Sequence, residues 1–376
     1  MRDKFTTIII TFVVISIMAV LVIFGLIVYD EITKNIEIDM PIDIIQHVSS
    51  EEEKTIDDNI ETPKILENTL SGIEGTSSSS NKNINYQNVV VDKYFYNQLE
   101  EYSKTIYKAF ESNKEHMKTG TYEIELGEAF SDILAQENGQ DLLGKYYQSA
   151  IEAYTYDNPD VFYLSPNKMY LNIETITKGR NVTYNVYINS GDQSNYLSNE
   201  FTTNEQIDNA FNQIQRVKDG ILQNITGNAY NDVKTIHDYL VNNVSYDSSI
   251  SKPNIYNIYG ALVNKESVCE GYARSMKYLL DSINVPCVLV IGKGTNSDGR
   301  TENHAWNYVQ INNKWYALDA TWDDPISATG YVSETSKYKY FLKGSNEFNK
   351  DHIPNGQFTE GGKIFTYPTL NTTNYN

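Results

Sequence analysis

The chain opens on an uncharged run, Phe5 to Tyr29, reading FTTIIITFVVISIMAVLVIFGLIVY. About 20 apolar residues at 1.5 Å rise cross the roughly 30 Å hydrocarbon layer, so the run predicts a membrane-spanning helix. A cleaved signal peptide has a shorter apolar stretch, about 7–15 residues, and a small-x-small cleavage site. The exit Gly25-Leu26-Ile27-Val28-Tyr29-Asp30-Glu31 has no such site, which predicts an uncleaved anchor. Residues 30–85 then turn polar, with 13 acidic and 4 basic residues, including Glu51-Glu52-Glu53 and the run Ser77-Ser78-Ser79-Ser80. Self-repulsion and scarce aromatics predict an extended, disordered tether. A short amphipathic helix near Ile36–Ile45 is the one element its pattern allows.

Apolar periodicity returns at residue 86. Val90, Tyr94, Tyr96, Leu99, Tyr102, Ile106, Tyr107 and Phe110 recur at helical spacing and predict a helix reaching Met117. A second helix is predicted over Leu142–Tyr156, stopped by Asn158-Pro159. Met169–Ile176 and Thr183–Ile188 alternate as strands around the turn Gly179-Arg180-Asn181. Helices follow over 204–224 and 228–243. In the latter Val233, Ile236, His237, Leu240 and Val241 share a face, so His237 reads as a packed histidine. His116, on a polar helix end, reads as solvated. No internal repeat and no Gly-rich phosphate loop occurs.

Between residues 267 and 325 the pattern carries chemistry. Cys269 precedes Ala273, Met276, Tyr278, Leu279 and Leu280, a helical apolar face, so its sulfur falls in a helix's first turn. The unpaired amides and positive dipole end there favour the thiolate, the reactive form. Val285–Gly292 reads as a buried strand. Asn303–Ile311 and Trp315–Asp319 form a hairpin around Asn312-Asn313. Counted from that turn, His304 lies 8 residues back and Asp319 6 forward, near enough to be cross-strand neighbours. A carboxylate orients an imidazole, and the imidazole takes a thiol proton and later delivers it to a leaving group. Taken singly, each residue has a plainer reading: a buried thiol, a satisfied histidine, a turn aspartate. Cys287, inside Val285–Ile291, reads as inert core. A Cys269–Cys287 disulfide is conceivable outside a cell but would block the nucleophile. Asp323-Asp324-Pro325 reads either as a cation site or as a loop cap.

Charge narrows the function. With 49 acidic against 30 basic residues among 376, the net charge of −19 disfavours a phosphate backbone, so no nucleic-acid partner is expected. Two cysteines exclude a disulfide scaffold and a four-cysteine zinc site. The five histidines show no ligand spacing, so no metal and no organic cofactor is expected. Arg2 and Lys4 before the apolar run, and Asp30 and Glu31 after it, place the N-terminus inside and the remainder outside the membrane.

The blocks Cys269-Glu270-Gly271-Tyr272-Ala273, His304-Ala305-Trp306-Asn307 and Leu318-Asp319-Ala320-Thr321-Trp322-Asp323 resemble the transglutaminase-like (transglutaminase core) cysteine enzymes, here of a membrane-anchored bacterial type. The resemblance extends upstream to Ile236-His237-Asp238-Tyr239-Leu240 and Val244-Ser245-Tyr246-Asp247. Downstream it reaches Tyr340-Phe341-Leu342 and Asp351-His352, so it covers roughly 230–355. It implies an α+β, papain-like fold, with the nucleophile helix packed on an antiparallel sheet. It also implies Cys269 as nucleophile, His304 as general base and acid, and Asp319 as its orienting partner. Tyr246 is a candidate oxyanion donor beside the Cys269 amide, and Trp306 and Trp322 are candidate cleft walls. No calcium loop is present. The expected organisation is 1–4 cytoplasmic, 5–29 anchor, 30–85 acidic linker, 86–203 accessory α+β region and 204–376 catalytic domain. The resemblance implies thioester-mediated acyl transfer or hydrolysis on protein or peptide amides at the cell surface or envelope. A cysteine peptidase or amidase acting on envelope peptides, and a noncatalytic envelope binding module, remain open.

Overall fold

The computed structural model describes residues 45–48, 93–191, 193–324, 336–354 and 363–376. The predicted anchor at 5–29, most of the 30–85 linker and Pro325 lie outside these residues. Among the described residues no helix is long and apolar enough to cross a membrane.

One piece of the predicted linker forms a strand. Ile45–Val48 (β1) pairs in parallel with Tyr170–Lys178 (β3), Ile45 opposite Asn172. Its β-branched residues suit a pleated strand, which the segment's overall acidity concealed. The same sheet runs in the order β1-β3-β4-β2, with Ile124–Gly127 as β2 and Asn181–Asn189 as β4. β3 and β4 form a hairpin from Tyr170↔Asn189 to Lys178↔Asn181. Gly179 supplies the positive φ of 63° in its turn.

Helix α1, Glu101–Ser112, packs its buried Ile106, Tyr107 and Phe110 against α2, Gly139–Asp157. The expected helix to Met117 is shorter at both ends. Upstream, Asp157 accepts the amides of Phe95 (3.0 Å) and Tyr96 (2.9 Å), holding 96–98 in a separate 3₁₀ turn. Downstream, the Asn113 side chain donates to the carbonyl of Ala109 (2.8 Å), and Met117 is buried in a second 3₁₀ turn. His116 is exposed and stacks on Tyr122 at 4.8 Å.

α3 (Asn204–Leu222) and α4 (Ala229–Asn243) follow, each opened by a side-chain cap. Thr203 accepts from the Gln206 amide and Asn228 from the Asn231 amide. Ser245–Tyr246 (β5) and Glu266–Ser267 (β6) then pair in parallel, immediately before helix α5, Cys269–Asp281.

α5 lies on an antiparallel sheet ordered β10-β7-β8-β9, formed by His352–Pro354, Cys287–Thr295, Thr301–Ile311 and Lys314–Leu318. From Cys287 to Gly292 β7 is an unbroken apolar run because both faces are covered there. One face meets α5, to which Asn307 is tied by donating to the Ala273 carbonyl (2.9 Å). Behind the sheet, Val290, Trp306, Tyr308, Ala317, Tyr340, Phe348 and Leu370 form a core cluster. The β8–β9 turn uses Asn312 and Asn313 at φ 52° and 60°, as a two-residue hairpin with right-handed strand twist requires.

The α1–α2 region is fastened to α5 by Arg274. Its guanidinium pairs with Glu270 (2.7 Å), donates to the carbonyl of Thr155 and lies over the Tyr156 ring. The C-terminal segment adds a second tie: Thr366 exchanges hydrogen bonds with Gln98, and Phe365 packs edge-on against Phe95 at 5.1 Å.

Candidate active site

Cys269 is the first residue of α5, and no side chain at Val268 caps that helix end. The start of the helix is closely packed: a Cβ at Gly271 would lie 2.0 Å from Ser267 Oγ and 2.6 Å from the Ile255 carbonyl. Both cysteines are free thiols. Cys269 is partly exposed, whereas Cys287 is buried in β7 and burial pushes its thiol pKa up.

His304 sits on β8, and its imidazole bridges two groups. Nε2–H donates to Oδ2 of Asp319 at 2.7 Å, and the ring interacts electrostatically with the Cys269 thiol, with Nδ1 the ring nitrogen that Asp319 leaves free for the sulfur. Asp319 is not directly opposite His304. The β8–β9 pairing ends at Asn307↔Leu318, so the aspartate reaches back diagonally from just beyond β9. Its other oxygen, Oδ1, accepts the amides of Thr321 (3.0 Å) and Trp322 (3.2 Å), and this turn aims Oδ2 at the imidazole.

Burial works against a charged imidazole at His304, but the Asp319 charge, its hydrogen bond and the Cys269 contact outweigh it. The pKa is pushed up to about 10. Burial likewise opposes the Asp319 carboxylate, yet His304 and His352 together hold its pKa well below the usual range. A thiol, an imidazole and a buried carboxylate in series are equipped to move a proton off sulfur and keep the resulting imidazolium.

His352 is the residue that sequence reasoning passed over, noted only within Asp351-His352. Its Nε2 lies 3.1 Å from the same Oδ2 of Asp319, and its Nδ1 lies 2.7 Å from Oδ1 of Asp351. The histidines expected to be scattered are therefore partly gathered. His304, Asp319 and His352 each place one ligand-type atom within 4.8 Å of the others. The cluster does not fit a metal ion. The 2.7 Å contact has the length of a charge-assisted hydrogen bond, and the four acceptor sites of Asp319 are filled by two amides and two imidazoles.

The aromatic candidates separate. Trp322 is half-buried and stacks on His304 at 4.8 Å and 23°, a position that walls the site. Trp306 corrects the expectation: at 1% exposure it belongs to the core cluster rather than to a cleft surface. It shares the His304 face of β8, but Phe348 covers it, with ring centroids 5.9 Å apart. Tyr246, on β5, is electrostatically coupled to Cys269, and burial raises its pKa, so its hydroxyl is kept as a donor. Tyr256, which carried no sequence signal, is similarly coupled to Cys269 and is 42% exposed.

The remaining polar residues brace the site. His237 is fully buried, with Nε2 3.1 Å from Asp323 Oδ2 and Nδ1 3.2 Å from Asp238 Oδ1. Asp323 Oδ1 accepts the Tyr340 amide (2.8 Å), and Asp324 accepts the Tyr272 hydroxyl (2.5 Å). Both aspartates thus serve internal bonds rather than a cation site.

Residues 215–320, which include Cys269, His304 and Asp319, match the family model for the transglutaminase-like superfamily. This stretch is a transglutaminase-like superfamily domain. The chain is also similar to the kyphoscoliosis peptidases of Mus musculus (29% identical over 106 residues) and Homo sapiens (28% over 106). Each match covers 26% of this chain and 16% of the relative. Among solved structures, a TGase aligns at 13% identity and a TM-score of 0.28, over 49% of this chain and 60% of that one.

The transglutaminase-like domain depends on one glycine beside the imidazole. A Cβ at Gly294 would lie 2.8 Å from Cζ2 of Trp322 and 3.2 Å from Cδ2 of His304. Gly294→Ala is expected to push the stacked rings aside and slow Cys269 alkylation about 10- to 100-fold, since small misplacements of reacting groups cost this much. Iodoacetamide kinetics beside a thermal melt would check it. An unchanged rate would show that the rings tolerate the methyl.

Proposed function

We propose that this protein is a membrane-anchored, extracytoplasmic cysteine enzyme that transfers or hydrolyses protein and peptide amides through a thioester. The observation that carries the reading is the His304 imidazole, hydrogen-bonded to Asp319 through Nε2 and interacting electrostatically with the Cys269 thiol. In this reading His304 takes the thiol proton, and the sulfur attacks the carboxamide carbon. The carbonyl electron pair moves to oxygen, facing the Cys269 amide and the Tyr246 hydroxyl. Collapse breaks the C–N bond, the amine leaves with the proton from His304, and a thioester remains. An incoming amine resolves it as a cross-link, and water resolves it as hydrolysis. In both cases His304 takes the nucleophile's proton and returns it to sulfur.

The peptidase name of the curated relatives supports the hydrolytic branch, although the match spans only a small part of their length. The uncharged run 5–29 and its flanking charges support the anchor.

The test uses the purified full chain, a glutamine-containing peptide and a labelled lysine-type amine. Label incorporation means transfer; release of ammonia or shortened peptide alone means hydrolysis. Cys269 is expected to react with iodoacetamide at least about 100-fold faster than Cys287, because thiolate character and access govern thiol reactivity. Equal labelling of the two thiols without turnover would leave a noncatalytic binding module.

A further inference from the structure

We infer that His352 is a positioning residue that divides the charge of Asp319 between two imidazoles and thereby sets the pH at which His304 releases its proton. This rests on reading Cys269 and His304 as the reacting pair. Oδ2 of Asp319 has His304 at 2.7 Å and His352 at 3.1 Å, while Oδ1 takes two backbone amides. Each donor on a carboxylate draws on the same negative charge, so a second imidazole on Oδ2 weakens the pull that His304 feels.

The second ring is built into place as carefully as the first. Phe348 stacks on it at 4.0 Å and 23°, and Trp322, the ring that also stacks on His304, lies at 4.4 Å. Asp351 Oδ1 holds its Nδ1 at 2.7 Å, while Asp351 Oδ2 accepts the Tyr340 hydroxyl (2.9 Å). β10 carries His352 to this spot through the pairing His352↔Gly294, next to the strand pair Gly292↔His304. The titratable groups facing the pair are Cys269 from α5, Tyr246 from β5, and Asp323 and Tyr340 around Asp319. Among the described residues, only His304 and His352 hydrogen-bond through side chains to Oδ2.

The measurement is the pH profile of Cys269 alkylation by iodoacetate. This anionic reagent is favoured by the imidazolium, so its rate falls as His304 loses its proton. His352→Phe keeps a stacking ring and removes the donor. Its alkaline limb is expected to move up by about one pH unit, as the undivided carboxylate holds the imidazolium longer. His352→Gln keeps an N–H donor and should restore the limb close to the wild-type position. If His352→Phe does not fold, Asp351→Asn decides, because it loosens the grip on His352 and should move the limb in the same direction by less. Profiles that superimpose on the wild type in the folded variants, or a limb that moves down, overturn the inference. A wild-type Cys269 with no such pH window overturns the reading of the pair itself, whatever the His352 variants do.

Discussion

His304→Ala is expected to lower turnover of any amide substrate by roughly 10⁴- to 10⁶-fold, the range seen when the base of a nucleophile–base unit is removed. The loss belongs to kcat, because the imidazole acts on the proton of the attacking sulfur rather than on substrate binding. Cys269→Ser should lose thioester formation just as completely. The double variant should be no worse than either single one, because the two side chains operate as one unit. Stability should respond differently. His304 is 3% exposed and Asp319 fully buried, so His304→Ala leaves a buried carboxylate that retains His352 and two amides. A destabilisation of about 1–3 kcal/mol is expected for the lost charged hydrogen bond and packing. Urea unfolding beside single-turnover kinetics would separate the effects. A variant that turns over within tenfold of wild type would remove His304 from the reaction.

The parts of this site that were readable in the sequence are those set by local pattern. The spacing of Ala273, Met276, Leu279 and Leu280 is enough to put Cys269 at the start of a helix, and α5 begins at that residue. Asn312-Asn313 is enough to close a hairpin, and with it to bring His304 near Asp319. What could not be read depends on long-range packing. His352 lies 33 residues beyond Asp319 and reaches it only because a three-residue strand pairs with β7. Trp306 alternates onto the His304 face like a cleft residue. Its burial is decided by Phe348, Tyr340 and Leu370, all from the chain's last part. The helix expected to reach Met117 has the right period at Tyr94, Tyr96 and Leu99. Asp157, about sixty residues away, takes the amides there and ends that reading.

Asp319→Asn separates orientation from charge. An asparagine can keep its oxygen on the amides of Thr321 and Trp322, which places its NH₂ where Oδ2 faces the two imidazoles. An amide donor requires an acceptor, so Nε2 of His304 must give up its proton and Nδ1 must carry it. Nδ1 is the nitrogen left for Cys269, and once protonated it cannot take the thiol proton. The same reversal of tautomer in a nucleophilic triad costs about 10⁴ in kcat, and a loss of that order is expected here. Stability supplies an independent check, whose sign follows from the direction of each shift. The His304 pKa is raised, so its contribution is complete below the ordinary value of 6.5 and is lost as pH rises through about 10. The Asp319 pKa is depressed, so its contribution is present above the ordinary 3.8 and is lost as pH falls through its lower folded value. The stability margin of wild type over Asp319→Asn should therefore be greatest between about pH 4 and 6.5 and shrink towards pH 10. Urea midpoints at pH 5.5 and 10 would test this. A margin that is equal at both, or larger at pH 10, would mean that His304 and Asp319 do not share a proton in the folded protein.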